Sequence, residues 1–182
     1  MKKISSFPVI SVNRGFSMIE LLVAVLVMGI GVLGITGLQM VSLQNNRGAL
    51  MRAEAVELAY DMMDRIRANP IGTPPGNAYN GVALGDTPAA PTNCNAGNCT
   101  EAQMAGFDLA VWKCSLGNYN ADGVCTTLRD NGVLPPVTAQ PGLPSGDGSI
   151  AVDNATGVIT ITIQWQEPNT PNLTSIVIDS QS

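Results

Sequence analysis

The chain contains no histidine. That excludes Ser-His-Asp and Cys-His nucleophiles and every imidazole metal site. Aromatic residues make up only 4% of the 182 residues, so a core has to be built from Leu, Ile, Val, Met and Ala. No acidic residue precedes Glu20, and none falls between Glu20 and Glu54. Proline is absent from Phe16 to Asn69, so no residue there lacks the N–H a helix needs. Basic residues are few: Lys and Arg number 9 against 14 Asp and Glu, for a formal charge of −5. Lys2, Lys3 and Arg14 crowd into the first fifteen positions, which leaves the rest of the chain strongly acidic. Such a surface is a poor grip for phosphates, so no nucleic-acid partner is expected.

What is present starts with an apolar run. From Phe16 to Leu38 the only polar side chains are Ser17, Glu20 and Thr36. A helix of that length spans a hydrocarbon core of ~30 Å. The basic residues ahead of it suit a cytoplasmic flank. A carboxylate inside such a segment costs about 2.5–3.5 kcal/mol near the bilayer centre and less near an end. Glu20 therefore calls for a partner, and the apolar run supplies no positive charge. A free α-amino group at Phe16 would supply one if the chain were cut after Gly15. An ordinary signal peptidase does not make that cut, because its site follows the apolar region at small residues.

Beyond Gln39 the pattern changes. Met51, Ala55, Leu58, Ala59, Met62 and Ile66 recur at helical spacing, with Arg52, Glu54, Glu57, Asp61, Asp64 and Arg65 opposite. This predicts an amphipathic helix continuous with the apolar one and stopped by Asn69-Pro70. Residues 70–100 are rich in Pro, Gly, Asn and Ala and read as a loop. Thr100 is a good N-cap with Gln103 at the capping-box position, so a short helix with one docking face is expected through Met104, Phe107, Leu109, Val111 and Trp112. "SLGNYNADGVC" reads as a turn-rich loop. Alternation in "VITITIQW" marks a half-buried strand, joined through "DNATG" to a shorter strand at 149–153, and "LTSIVID" is a third. Trp112 and Trp165 are expected in the core.

Cys94, Cys99, Cys114 and Cys125 all follow the apolar run. An even number at short spacing after an export segment points to two disulfides in an oxidising compartment. Three connectivities remain open, with Cys94–Cys99 and Cys114–Cys125 preferred for their short loops. The alternative is zinc, but Cys-x4-Cys followed by Cys-x10-Cys is a loose ligand set. Asp108, Asp122, Asp130 and Asp147 form no paired-carboxylate motif, Ser145 is not in a nucleophile elbow, and "NADG" and "SGDG" lack the ligand density of a calcium loop. No enzyme activity, metal or cofactor is expected. A membrane-anchored enzyme remains only a remote alternative.

Gly15-Phe16-Ser17-Met18-Ile19-Glu20 followed by "LLVAVLVMGIG" resembles the class III signal of type IV prepilins and type II secretion pseudopilins. The resemblance implies an α+β, type IV pilin-like fold: a long N-terminal helix, half transmembrane and half amphipathic, packed on a small antiparallel β-sheet with disulfide-stapled loops. It implies a prepilin leader peptide at 1–15, a transmembrane assembly helix at 16–38, the amphipathic half at 39–69 and a periplasmic globular head at 70–182. It further implies cleavage by prepilin peptidase between Gly15 and Phe16, N-methylation of Phe16, and docking of Glu20 on the Phe16 amine of a neighbouring subunit. Where many major pilins carry a Pro, this chain has Gly37.

Residues 34–70, 99–112 and 143–167 are similar to PilV-like minor pilins. That likeness implies a bacterial inner-membrane protein with its head in the periplasm, which primes pilus assembly, supports twitching motility and reaches the pilus tip. The implied partners are prepilin peptidase, other minor pilins, the major pilin, a large tip adhesin and the inner-membrane assembly platform. A minor pseudopilin of a type II secretion system is the alternative.

Overall fold

The computed structural model describes residues 15–70, 77–95, 97–168 and 170–181. The proposed leader, apart from Gly15, and part of the 70–100 loop lie outside the described residues. Two compact units divide the chain, residues 1–43 and residues 44–182.

Helix α1, Met18–Ala68, contributes to both units with 51 residues. Its sequence has no proline to break the hydrogen-bond ladder, and Ser17 starts that ladder by accepting from the N–H groups of Glu20 (3.1 Å) and Leu21 (3.3 Å). Within the second unit, Ala55, Leu58, Ala59, Met62, Met63 and Ile66 are buried. Their three- and four-residue spacing puts them on one face. The methyl groups of Ala55 and Ala59 let that face approach closely, while the two methionines fill the irregular space beside it.

That face covers a three-stranded antiparallel meander of β1 (Asp147–Val152), β2 (Val158–Gln166) and β3 (Leu173–Gln181), ordered β1-β2-β3. In β2 the buried side chains are Ile159, Ile161, Ile163 and Trp165, alternating with half-exposed neighbours, as a strand period of two requires. The strands run one to two residues longer than the alternation suggested. The β1–β2 turn is closed by Asp153, whose carboxylate accepts from the Ala155 N–H (2.8 Å) and the Thr156 hydroxyl (2.6 Å). Gly157 supplies the left-handed residue at φ 73°, the conformation glycine adopts without penalty. The carboxylate of Asp153 is held below its ordinary value, first by the Thr156 hydroxyl and then by the Ala155 N–H.

Helix α2, Glu101–Leu116, starts at the Thr100–Gln103 capping box. The expectation of a single docking face is corrected here, because α2 is buried on two sides. Ala105, Trp112 and Leu116 join the main core with α1 and the sheet. Phe107, Ala110, Val111 and Cys114 join a second core with Tyr119, Cys125, Leu128 and Leu134. The second core exists because part of "SLGNYNADGVC", read as a loop, is helical. Helix α2 runs on to Leu116, and a further helix, α3, spans Gly123–Asp130. Asp122 caps α3 by accepting from the Val124 N–H at 2.8 Å. The Cys114–Cys125 disulfide ties α2 to α3, and Cys94–Cys99 closes the preceding loop. By the chain-entropy model each closure contributes roughly 2–3 kcal/mol.

Candidate functional site

The described part of the first unit, residues 15–43, presents apolar surface with one carboxylate. Phe16 is 86% exposed, and Leu21, Leu26, Leu33 and Leu43 are all more than half exposed. Between Phe16 and Asn46, Glu20 is the only charged side chain. Full burial of a Leu, Ile, Val or Met is worth about 1.5–3 kcal/mol each, so this surface is stable only in lipid or against other chains. The helix is long and apolar enough to cross a membrane. Glu20 lies in the first turn of α1, where the unpaired N–H groups and the helix dipole favour negative charge. Gly15, Phe16 and Ser17 precede the helix. The fold thus places Gly15 and Phe16 ahead of the helix and Glu20 within its first turn. Thr36 satisfies its hydroxyl on the Val32 carbonyl at 2.9 Å, which leaves no unpaired polar group at mid-segment from that residue.

In the second unit, two buried polar networks hold the loops to the core. In the first, Asp108 accepts from Arg65 Nη1 at 3.0 Å and from the Tyr79 hydroxyl at 2.9 Å. Asn69 Nδ2 donates both to the Tyr79 hydroxyl and to the Glu101 carbonyl, each at 2.9 Å. This knot joins the end of α1, the 77–79 turn and the start of α2. Burial, followed by the hydrogen bond to Asp108, raises the Tyr79 phenol well above its ordinary value.

The second network centres on Asp147. Its carboxylate accepts from Lys113 Nζ (2.7 Å), the Gly148 N–H (2.7 Å) and the Gly85 N–H (2.5 Å). Lys113 also donates to the Ala83 carbonyl at 2.9 Å. The two charged side chains are only 3% and 4% exposed. Burial, together with the neighbouring Asp147, raises the Tyr119 phenol. Both networks are structural clamps. Neither combines a nucleophile with a base, and no group of residues suited to a metal is found among the described residues. Sequence reasoning placed Asp108 and Asp147 only among the weak catalytic candidates. Their partners Arg65, Tyr79 and Lys113 carried no local signal, since each is distant in the chain.

The fold is the type IV pilin-like α+β arrangement, with a long N-terminal helix, a small antiparallel sheet and two disulfides. Residues 10–36 match the family model described as the prokaryotic N-terminal methylation motif. Residues 37–110 match the Tt1218-like family, described as type IV pilin Tt1218. No curated protein and no solved structure matches the chain. The two matches adjoin, and together they support a type IV pilin-like protein that carries a prepilin methylation motif. The motif implies processing by a prepilin peptidase and membership in a pilin assembly system, which suggests a structural role.

Proposed function

We propose that this chain is a PilV-like minor pilin that primes type IV pilus assembly. One observation carries the reading: the exposed apolar part of α1, up to Leu43, has a single carboxylate, in its first turn, shortly after Gly15-Phe16. Prepilin peptidase cuts after Gly15 and methylates the Phe16 amine. The cut removes Lys2, Lys3 and Arg14 and leaves residues 16–38 as the membrane and assembly segment. Glu20 then has a partner. In a medium of low dielectric, its carboxylate is stabilised by the Phe16 ammonium of a neighbouring subunit. Until that partner arrives the buried charge is unpaired, so correct docking is favoured over random contact.

The second unit faces the periplasm, where the two disulfides persist. Its similarity to PilV-like proteins in residues 99–112 and 143–167 favours the minor-pilin role over the pseudopilin role. On this reading it supports pilus biogenesis and twitching, and it reaches the pilus tip as part of a complex with other minor pilins, the major pilin, a tip adhesin and the assembly platform. A clean deletion tests the assignment, with sheared surface pilin and type II exoprotein secretion measured in one strain. Lost pili with normal secretion is expected. Lost secretion with normal pili would move the chain to the pseudopilins.

A further inference from the structure

Two Asn-Gly steps occur in the chain, Asn80-Gly81 and Asn131-Gly132. The two pairs are chemically alike, so a difference between them comes from the fold. All four residues are exposed. In such a step the backbone nitrogen of the glycine is the nucleophile nearest to the side-chain carbonyl carbon of the asparagine. Glycine has no Cβ to crowd the approach. Closure of a five-membered ring within one chain then carries the rate advantage of an intramolecular reaction.

The fold treats the two nucleophiles differently. The Gly132 N–H donates to the Arg129 carbonyl at 2.9 Å, in the turn that ends α3, and the Asn131 N–H donates to the Thr127 carbonyl at 3.0 Å. The Gly132 nitrogen is free to attack only when that turn opens. The Gly81 N–H, by contrast, has no acceptor among the described residues. It lies between the 77–79 helical turn and the Val82–Ile150 bridge. A Cβ built on Gly81 would meet no atom within 4 Å, so water reaches the site.

The electrophile at Asn80 is also prepared. Its Oδ1 accepts from the Val152 N–H at 2.8 Å. Attack on Cγ moves negative charge onto that oxygen, and a donor already aimed at it stabilises the charge. Nδ2, the nitrogen that must leave, has no acceptor among the described residues.

We infer that Asn80 is a site of spontaneous deamidation, which converts it to aspartate and isoaspartate while Asn131 is spared. The Gly81 nitrogen forms a bond to Asn80 Cγ, the bond from Cγ to Nδ2 breaks, and ammonia leaves with the Gly81 proton. The product is a cyclic imide. Water then opens it at Cγ to give aspartate, or at the main-chain carbonyl to give isoaspartate. Aspartate keeps an oxygen for the Val152 N–H. Isoaspartate adds a methylene to the main chain two residues before Val82, whose carbonyl holds the Ile150 N–H at 2.9 Å. The modified chain therefore loosens its loop from the edge of β1. The inference stands on local geometry and does not depend on what the chain assembles with.

Peptide mapping by mass spectrometry tests it on the full-length protein in detergent, held at neutral and at mildly alkaline pH. Asn80 should gain the mass difference between an amide and an acid. The gain should be faster at the higher pH, because the attacking nitrogen must lose its proton. Asn131 should react more slowly by about tenfold or more, the protection that a hydrogen-bonded turn gives its amide. In urea the two steps should react at similar rates. Molecules with isoaspartate at residue 80 should show faster hydrogen exchange at Ile150 and Val152. Asn80→Gln, which would have to close a six-membered ring, should give no product at residue 80 over the same period, with native near-ultraviolet ellipticity. Equal rates at the two steps in the folded chain would overturn the inference. So would an unchanged Asn80 after a period in which the urea-unfolded chain has reacted.

Discussion

Asp147→Ala removes the acceptor at the centre of the second polar network. Four donors then lose their partner: Lys113 Nζ, the N–H groups of Gly148 and Gly85, and the Tyr119 hydroxyl at 3.4 Å. The Gly85 loop is exposed, so its N–H rehydrates at little cost. Lys113 does not, because its side chain is 3% exposed and keeps only the Ala83 carbonyl. Breaking a buried ion pair from one side costs about 3–5 kcal/mol. Against a typical total of about 5–15 kcal/mol, that is a large share. For a unit of this size it lowers the midpoint by about 10–17 °C. Asp147→Asn keeps an oxygen for Lys113 and should lose less. Lys113→Met combined with Asp147→Leu removes both charges and should recover most of the loss. The assay is thermal and urea unfolding in detergent, followed by the near-ultraviolet ellipticity of Trp112 and Trp165, which both lie in the core. An Asp147→Ala chain within about 1 kcal/mol of the parent, with native ellipticity, would refute the reading that Lys113 is too buried to lose its partner cheaply.

Gly148→Ala should destabilise by about 1–3 kcal/mol, because the added methyl group would collide with the Trp112 ring; unfolding midpoints check it. Tyr79 and Tyr119 both have raised phenol values. A phenol that titrates higher folded than unfolded contributes stability that is complete below pH ~10 and lost as pH rises through the folded value. Ultraviolet titration should show two phenols ionising late and together with unfolding, and Tyr79→Phe should remove one of them. Glu20→Ala should leave cleavage after Gly15 largely intact and block productive incorporation, so piliation equal to the parent would sink the docking role.

The elements most legible in the sequence were those with a strong period. The apolar run from Phe16, the 3.6-residue face from Met51 to Ile66 and the alternation of Ile159 to Trp165 each report burial on one side. The capping box at Thr100 was legible because it is local. Helix α3 was missed because "GVCTTLRD" follows a cluster of turn residues and is only 8 residues long. Its stability comes from the Cys114 bridge and from the second core rather than from its own pattern. Helix α2 was read as one-faced because a helix sandwiched between two cores loses its polar stripe. The buried pairs Arg65–Asp108 and Lys113–Asp147 join residues separated by 43 and 34 positions, and no spacing rule reaches across such distances. The candidate site at Gly15, Phe16 and Glu20 was visible for the opposite reason, since a lone carboxylate in an apolar run breaks a local rule at a physical cost.

The proposed assembly role requires that the apolar helix begin at a processed Phe16 whose amine is available to Glu20 of a neighbour. The most direct measurement is the intact mass and N-terminal sequence of the chain recovered from its own cell membrane. The expected chain lacks residues 1–15 and begins at Phe16 with one added methyl group. A chain that retains Lys2, Lys3 and Arg14, or begins at an unmodified residue beyond the apolar run, would contradict it.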